Sequence, residues 1–365
     1  MIGSSKKICV VLSMHQLIIV LSVLKAKQLG RNYFDCVLLR EGAHYPELIS
    51  RIFTGADIYV VKKIEAKGVW GRIAEIKRLG DNAVESLRLK GAKIEIWIPN
   101  KTYHITNFIL YHASVGKTVA YEDGLGSYID SGLLERKAGF RTLAKKILAV
   151  VGLFPVYRSF FGVSKIKANE YWALGKSAFS GKGVNLISTD DYISALTSIL
   201  TLVSRDSLPN ITEFSTKGNV VVVGQPLAEV GLCSVQESIS KFRRLGQAFI
   251  ASLGSQKEVC KVIYLPHPTE RPDLAEKRLE AFTESGRYSC VSCVYENKNS
   301  IEIMLAHLAL SGVEVILVGS SSTALYSASI SNICTESYFC ADSNDLNVEE
   351  QRAIFNRFGV KPIDL

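Results

Sequence analysis

The stretch KGNVVVVGQPLAEVG, residues 217–231, decides the fold of the chain. Its four consecutive valines, Val220–Val223, are followed at once by Gly224. A continuous run of β-branched residues that ends at a glycine is typical of a strand buried on both faces, as in a parallel sheet with helices on either side. We therefore predict that an α/β domain begins near residue 218 with this strand.

Helical and strand-like patterns alternate after this strand, and a similar alternation precedes it. Downstream, the predicted elements are helix 235–253, strand 262–265, helix 273–284, strand 290–295, helix 301–311, strand 313–318 and a helix from 321. Upstream, they are strands at 8–12, 36–39, 58–61, 94–98 and 118–121, and helices at 17–29, 45–52 and 69–87. This alternation indicates a doubly wound parallel sheet in each half of the chain.

The length of 365 residues also favours two domains, because a single hydrophobic core seldom serves so long a chain. We predict a Rossmann-like N-terminal domain over residues 1–187, a linker helix and loop over 188–217, and a Rossmann-like C-terminal domain over 218–365. The last helix either completes the second domain or returns to the first. Two such α/β domains facing each other across a cleft are the GT-B architecture of glycosyltransferases and of some nucleotide-sugar epimerases.

The cysteines and the N-terminal residues point to a reducing compartment. The apolar run near the N-terminus is interrupted by Ser13, His15 and Gln16 and lacks a clean cleavage site, so we interpret it as a strand and a helix, not as a secretory signal. We therefore expect reduced thiols and a cytoplasmic protein. Cys290 and Cys293 have no nearby partner pair, which favours two strand residues over a zinc site.

The net charge of +8 is concentrated in residues 136–167, which hold eight basic and no acidic residues. The apolar stretch inside this segment, 147–155, is far shorter than the roughly 20 residues that a membrane-spanning helix needs. The segment is typical either of a basic amphipathic element at an anionic membrane surface or of a helical hairpin with a solvated basic face. Nucleic-acid binding is the least favoured interpretation, because no recognition motif accompanies the charge.

Polar residues and glycines follow five of the predicted strands, where open α/β sheets bind their ligands. These residues are Ser13, His15 and Gln16; Glu122, Asp123 and Gly124; Gly224 and Gln225; His267 and Pro268; and Ser320, Ser321 and Ser322. We expect the two domains to bring them to one cleft.

Three of these groups carry residue types suited to group transfer. The carboxylates of Glu122 and Asp123 are candidate general bases, with a capping or salt-bridged turn as the structural alternative. His267, between two prolines, is a candidate general acid or hydrogen-bond donor, with a structural turn histidine as the alternative. The serines at 320–322 open a predicted helix, where a phosphate would find donors, although serine is also a preferred N-cap.

No metal or cofactor site is expected. The strand ends carry no Asp-x-Asp sequence, so we predict no metal–diphosphate site and a metal-free reaction. The P-loop-like stretches at 114–118 and 174–177 lack the first glycine of a P-loop and do not qualify as phosphate-binding loops.

In their order along the chain, these groups resemble the motifs of the bacterial sialyltransferases. The sequences EDG at Glu122–Gly124, HP at His267–Pro268 and SSS at Ser320–Ser322 are similar to the D/E-D/E-G, HP and serine motifs of those enzymes. The spacing and the sequence VVVGQPL look most like the capsule polysialyltransferase and lipooligosaccharide sialyltransferase families. The first acid is Glu where some of these families carry Asp, which leaves the subfamily open. The resemblance covers both domains, residues 8–330, but not segment 136–167.

The resemblance implies an inverting, metal-independent transferase that moves sialic acid from CMP-sialic acid to a hydroxyl of a cell-surface glycan. By position, Glu122 would be the general base, and His267 would protonate or hydrogen-bond the departing CMP phosphate. Residues 320–322 would hold that phosphate, residues 224–226 would line the nucleotide side, and residues 13–16 would line the acceptor side.

Other functions fit parts of the same pattern. The donor could be another CMP-activated acidic sugar, such as Kdo or a different nonulosonate. A GT-B-fold epimerase or hydrolase and a non-enzymatic glycan-binding scaffold are alternatives from other classes, and the intact Glu122, His267 and serines argue against the scaffold. The partners expected are a CMP-sugar donor, a glycan acceptor, the inner membrane surface through 136–167 and a second copy in a homodimer, with no nucleic acid.

Overall fold

A computed structural model of the chain describes the residues that carry both sheets. The described residues are 5–41, 46–99, 106, 109, 114–124, 127–128, 168–181, 183–229, 231–253, 259, 261–267, 269–284, 291–294, 300–320, 322–343 and 348–365. The predictions for segment 136–167, for Pro268, Ser321 and for the Cys290–Cys293 pair lie outside them or rest on side chains outside them. The chain divides into two compact units, 1–195 and 196–365, each of which is described by itself.

The first unit is built on a parallel sheet. Its strands are β1 Lys6–Val11, β2 Cys36–Arg40, β3 Asp57–Val61, β4 Lys93–Pro99, β5 Ser114–Tyr121, β6 Glu170–Ala173 and β7 Val184–Leu186. Its helices are α1 Met14–Ala26, α2 Pro46–Ile52, α3 Val69–Ser86 and α4 Thr189–Leu200. The strand order β3-β2-β1-β4-β5-β6-β7 reverses direction between β1 and β4, which is the switch point at which such sheets bind ligands.

Helix α1 begins at Met14, three residues before the predicted start at 17. The Ser13 hydroxyl caps the helix, because its oxygen accepts a hydrogen bond from the Gln16 amide at 3.3 Å. The helix is buried along nearly its whole length, from Met14 to Leu24, so its sequence is apolar on every side and shows little amphipathic pattern. The cap therefore places His15 and Gln16 in the first helical turn, at the carboxyl end of β1.

The second unit repeats the same topology. Its strands are β8 Asn219–Val223, β9 Lys261–Leu265, β10 Val291–Val294, β11 Val315–Gly319, β12 Glu336–Ala341 and β13 Lys361–Asp364. Its helices are α5 Val235–Leu253, α6 Pro272–Thr283, α7 Ile301–Leu310, α8 Thr323–Ile330 and α9 Val348–Arg357. The order β10-β9-β8-β11-β12-β13 is parallel throughout. The four-valine strand β8 is buried along its full length between β9 and β11, as its sequence predicts.

The C-terminal residues complete the second sheet. Strand β13 pairs with β12, with Ile363 opposite Cys340, and α9 precedes it in the same unit. The division between the units falls inside α4, which lies within the predicted linker over residues 188–217.

Two further features concern membrane-spanning helices and cysteines. Among the described residues, no helix combines the length and apolar character needed to cross a bilayer. The cysteines that the structure describes as free thiols are Cys9, Cys36, Cys233, Cys334 and Cys340.

Helices α5 and α6 meet at a glycine. A Cβ atom on Gly246 would lie 2.0 Å from the carbonyl oxygen of Phe282, a distance that no real Cβ contact allows. The rings of Phe249 and Phe282 pack nearby in a tilted arrangement, with centroids 6.0 Å apart. The glycine thus lets the two helix backbones approach closely enough for these rings to fill the core between them.

We expect Gly246→Ala to destabilise the second unit by about 2 kcal/mol or more, because the added methyl group forces backbone against backbone. Urea denaturation followed by far-UV circular dichroism measures the effect. Gly71→Ala is the matched control, since its Cβ meets only the Ala66 side chain at 3.4 Å and alanine favours the helix. Equal stability of Gly246→Ala and wild type would contradict the packing described here.

Candidate active site

The carboxyl end of β5 carries a fully buried carboxylate, Glu122. Its Oε2 accepts hydrogen bonds from the Tyr128 hydroxyl at 2.6 Å and from the Leu174 amide at 2.8 Å. Its Oε1 lies 3.5 Å from Nε2 of His15. The Glu122 backbone amide donates to the Trp172 carbonyl at 3.0 Å. Glu122 therefore ties the end of β5 to the turn that follows β6 and to the start of α1.

The neighbouring carboxylate, Asp123, is partly exposed and differently held. The side-chain amide of Gln16 donates to Asp123 Oδ1, and the Asp123 backbone amide donates to Ser127 Oγ at 2.8 Å. Gln16 is itself oriented by the Leu12 amide, which donates to its Oε1 at 2.7 Å. Gly124 follows with φ of +99°, a conformation that favours glycine. The turn thus buries the first acid of the pair and presents the second to solvent.

The structure brings the predicted residues of this unit into contact with one another. Ser13 caps α1, and the helix that it starts brings Gln16 to Asp123 and His15 to Glu122. Tyr128 and the amide of Leu174 were not predicted. Tyr128 follows the EDG sequence closely, but nothing in the sequence indicates that its hydroxyl turns back to Glu122.

In the second unit, the chain after β9 presents His267 as an exposed side chain on a tightly bonded loop. Its backbone amide donates to Glu270 Oε2 at 2.9 Å, and its carbonyl accepts from the Glu270 amide at 2.8 Å. The Thr269 amide donates to His267 Nδ1 at 3.2 Å, and Thr269 Oγ1 lies 2.9 Å from the same nitrogen. Both the main chain and the ring of His267 are therefore fixed.

The contact with Thr269 also determines the tautomer of His267. A backbone amide can only donate, so Nδ1 is the nitrogen without a proton, and the neutral ring carries its proton on Nε2. The loop shields part of the His267 ring from water, and this partial desolvation lowers the pKa of His267, against an opposing effect of the Glu229 carboxylate. At neutral pH the residue is thus a neutral imidazole that offers an Nε2–H donor.

Gly224, at the end of β8, lies directly against the His267 loop. Its amide donates to the Leu265 carbonyl at 2.7 Å. A Cβ atom at this position would lie 2.2 Å from Glu270 Oε2 and 2.9 Å from the Leu265 carbonyl oxygen. Gln225, next in the chain, is half-buried. The glycine that ends the valine run is therefore required by the close approach of the His267 loop.

The serines after β11 have distinct positions. Ser320 is buried, and its carbonyl accepts from the Ser322 amide at 2.7 Å. Ser322 is the N-cap of α8, where its hydroxyl oxygen accepts from the Ala324 amide at 3.3 Å. The capping alternative is thus confirmed for Ser322, and phosphate binding by this cluster stays a prediction.

A buried arginine, Arg278, lies below the His267 loop and was not predicted from the sequence. It contacts Glu229, Ser238 and Glu270. Glu270 stands three residues after His267 and could have been noticed for that spacing. Within the described part of the chain, no cluster of His, Cys, Asp and Glu side chains is arranged to hold a metal ion.

The paired sheets define the class of protein. The chain is 12% identical to a protein described as a UDP-N-acetylglucosamine 2-epimerase from Listeria monocytogenes, over 90% of this chain and 78% of that one, with a TM-score of 0.52. It is also 12% identical to MurG from Acinetobacter baumannii, over 98% of this chain and 85% of that one, with a TM-score of 0.41. At such identity the first likeness shows the fold alone, which is the GT-B type with two Rossmann-like domains. No curated protein matches the sequence.

The sequence carries the more specific information. A model of the alpha-2,8-polysialyltransferase family matches residues 7–339, nearly the whole chain, and includes the EDG, HP and serine positions. The chain belongs to the alpha-2,8-polysialyltransferase family. It is therefore a glycosyltransferase of the sialyltransferase type, as the resemblance predicted.

We expect Glu122→Ala to lower the free energy of unfolding by about 3 kcal/mol, because the Tyr128 hydroxyl and the Leu174 amide lose their acceptor in a buried site. Glu122→Gln keeps an oxygen that accepts both bonds and should cost about 1 kcal/mol or less. Chemical denaturation measures both values. The exposed helical residue Glu85 supplies the control, since Glu85→Ala should change stability by less than about 0.5 kcal/mol. A Glu122→Ala variant as stable as this control would contradict the buried network.

Proposed function

We propose that the protein transfers sialic acid from CMP-sialic acid to a hydroxyl of a cell-surface glycan, of the capsule or lipooligosaccharide type, with inversion and without a metal ion. The proposal rests on the family match and on two side-chain groups: a carboxylate that can take the proton of the acceptor hydroxyl, and an imidazole that can donate to the departing phosphate. The first unit offers a reachable carboxylate at Asp123, and the second offers a fixed imidazole donor at His267.

The leaving group sets the chemistry of the donor side. When the bond between the anomeric carbon and the phosphate oxygen breaks, its electron pair remains on the CMP phosphate, whose negative charge grows. Hydrogen-bond donors that strengthen with this charge stabilise the transition state without a metal. His267 Nε2–H is such a donor, and the serine hydroxyls at 320–322 are expected to supply others.

On the acceptor side, a carboxylate takes the proton from the attacking hydroxyl. The resemblance gives this role to Glu122, but its burial and its bonds to Tyr128 and Leu174 suit it to hold the turn. Asp123 is partly exposed, and we propose that it is the base that the acceptor reaches, with Gln16 orienting it. Attack opposite the departing phosphate then inverts the anomeric centre, as in other single displacements at sugars.

The remaining proposals concern location and partners. The eight basic residues of segment 136–167 suit attachment at an anionic inner membrane surface, where a lipid-linked or polyanionic glycan would be extended. We therefore propose a cytoplasmic protein that is peripheral to the membrane and that acts there alone or as a homodimer.

The test is release of CMP from CMP-sialic acid, with and without lactose-terminated and oligosialic acceptors. We expect release to need an acceptor, and we expect Asp123→Asn and His267→Ala each to lower kcat by about 10²-fold or more, with a smaller loss for Glu122→Gln. Asp190→Asn, a change at an exposed acid of the same unit, is the control.

The outcomes separate the alternatives. A larger loss for Glu122→Gln than for Asp123→Asn would return the role of base to Glu122. Turnover of a different CMP-activated acidic sugar in place of CMP-sialic acid would overturn the donor assignment. Turnover of a nucleotide sugar without any acceptor would indicate an epimerase or hydrolase.

The tautomer of His267 gives a separate pH prediction. Because its pKa is lowered, the ring is neutral at pH 7 and donates from Nε2 without giving up a proton. We therefore expect kcat to stay level between about pH 7 and 8.5, as measured in matched buffers against His267→Ala. If the ring must transfer a proton, kcat would instead fall about tenfold per pH unit above the His267 pKa.

A further inference from the structure

An ion-pair network with a buried centre lies beneath the His267 loop. Arg278, on α6, is not exposed at all, and neither is the carboxylate of Glu270. The guanidinium donates from Nε to Ser238 Oγ at 2.9 Å, from Nη1 and Nη2 to Glu229 at 3.2 and 3.1 Å, and from Nη1 to Glu270 Oε1. These bonds engage all three guanidinium nitrogens, so Arg278 is a fixed point in the core of the unit.

Glu270 connects this fixed point to the loop. Its Oε1 accepts from Arg278 and from the Tyr264 hydroxyl at 2.5 Å, while its Oε2 accepts the His267 amide at 2.9 Å. Gly224 at the end of β8 packs against the same Oε2. One carboxylate thus joins the ends of two neighbouring strands, the loop and α6.

The chemistry of these contacts admits only a carboxylate. Donors approach both oxygens of Glu270: Arg278 and Tyr264 at one, and the His267 amide at the other. A glutamine has one acceptor oxygen and one NH₂ group, so in either orientation it sets a donor against a donor. A residue with a merely space-filling role would have no such requirement.

We propose that Glu270, held by Arg278, is a positioning residue that fixes the main chain of His267 and so aims its Nε2–H at the phosphate of the sugar donor. The inference rests on the proposed function for the identity of the substrate. Glu270 and Arg278 would act on the reaction through His267, without touching the substrate themselves. The same arrangement makes Gly224 obligatory, because any Cβ there would displace the carboxylate.

The first test is a double-mutant cycle on kcat with CMP-sialic acid. We expect Glu270→Gln to lower kcat by about 30-fold with KM for the sugar donor changed less than about threefold. In the His267→Ala background, which keeps the backbone amide but lacks the ring, Glu270→Gln should cost less than about threefold more. Glu276→Gln makes the same chemical change at an exposed position of α6 and should match wild type.

The second test needs no activity. Because the His267 amide donates to a buried carboxylate, its hydrogen exchange should be slow in wild type and in Glu276→Gln, and faster by at least about tenfold in Glu270→Gln. Glu270→Asp, which keeps both acceptor oxygens on a shorter side chain, provides a second variant if Glu270→Gln does not fold. For Glu270→Asp we expect faster exchange of the His267 amide and a lower kcat than in wild type, with both changes smaller than those expected for Glu270→Gln.

The outcomes are distinguishable. Equal losses from Glu270→Gln with and without the His267 ring would overturn the positioning role, and so would unchanged exchange at His267. A wild-type protein that neither binds CMP nor releases it from CMP-sialic acid would overturn the proposed function. The exchange measurement would still test whether Glu270 holds the His267 amide.

Discussion

A carboxylate removed from water needs hydrogen-bond donors, because the free energy lost when a buried charge is left unsatisfied is larger than the stabilisation that one hydrogen bond provides. Each unit of this protein places such a carboxylate at the carboxyl edge of its sheet, Glu122 after β5 and Glu270 after β9. Both accept from a tyrosine hydroxyl and from a backbone amide of a loop at a strand end: Leu174 after β6 for Glu122, and His267 after β9 for Glu270. The loops that bear the reactive groups are therefore anchored by electrostatics as well as by packing.

The proposed chemistry stands beside these anchors. Asp123 follows Glu122 directly and keeps contact with solvent, and His267 lies three residues before Glu270 on an exposed turn. In each unit a buried acid thus fixes the backbone, and under the proposed function a nearby residue meets the substrate. Such division of labour lowers the cost of orienting reactive groups during the reaction, because their orientation already exists in the folded protein.

The sequence predicted the strand–helix alternation well, because parallel strands buried on both faces read as apolar runs such as Val220–Val223. It also predicted the strand-end positions of Glu122, Asp123 and His267. It missed the start of α1, where a single cap at Ser13 moved the helix by a turn, and it did not predict β6, β7, β12 and β13. The buried network was not predicted because charged residues in a sequence are normally assigned to the protein surface. Only the fold shows that Arg278 has partners on three other segments of the chain.

The network around Arg278 also has a consequence during protein synthesis. Within the described part of the chain, the side chains to which Arg278 donates hydrogen bonds all precede it, the farthest by only 49 positions, so the ribosome has made every one of them before it makes Arg278. Closing a loop of this length adds little entropic cost beyond that of a shorter one. The growing chain can therefore pair this buried cation before β11, β12 and β13 exist, and those strands then add to a segment in which Arg278 already has its partners.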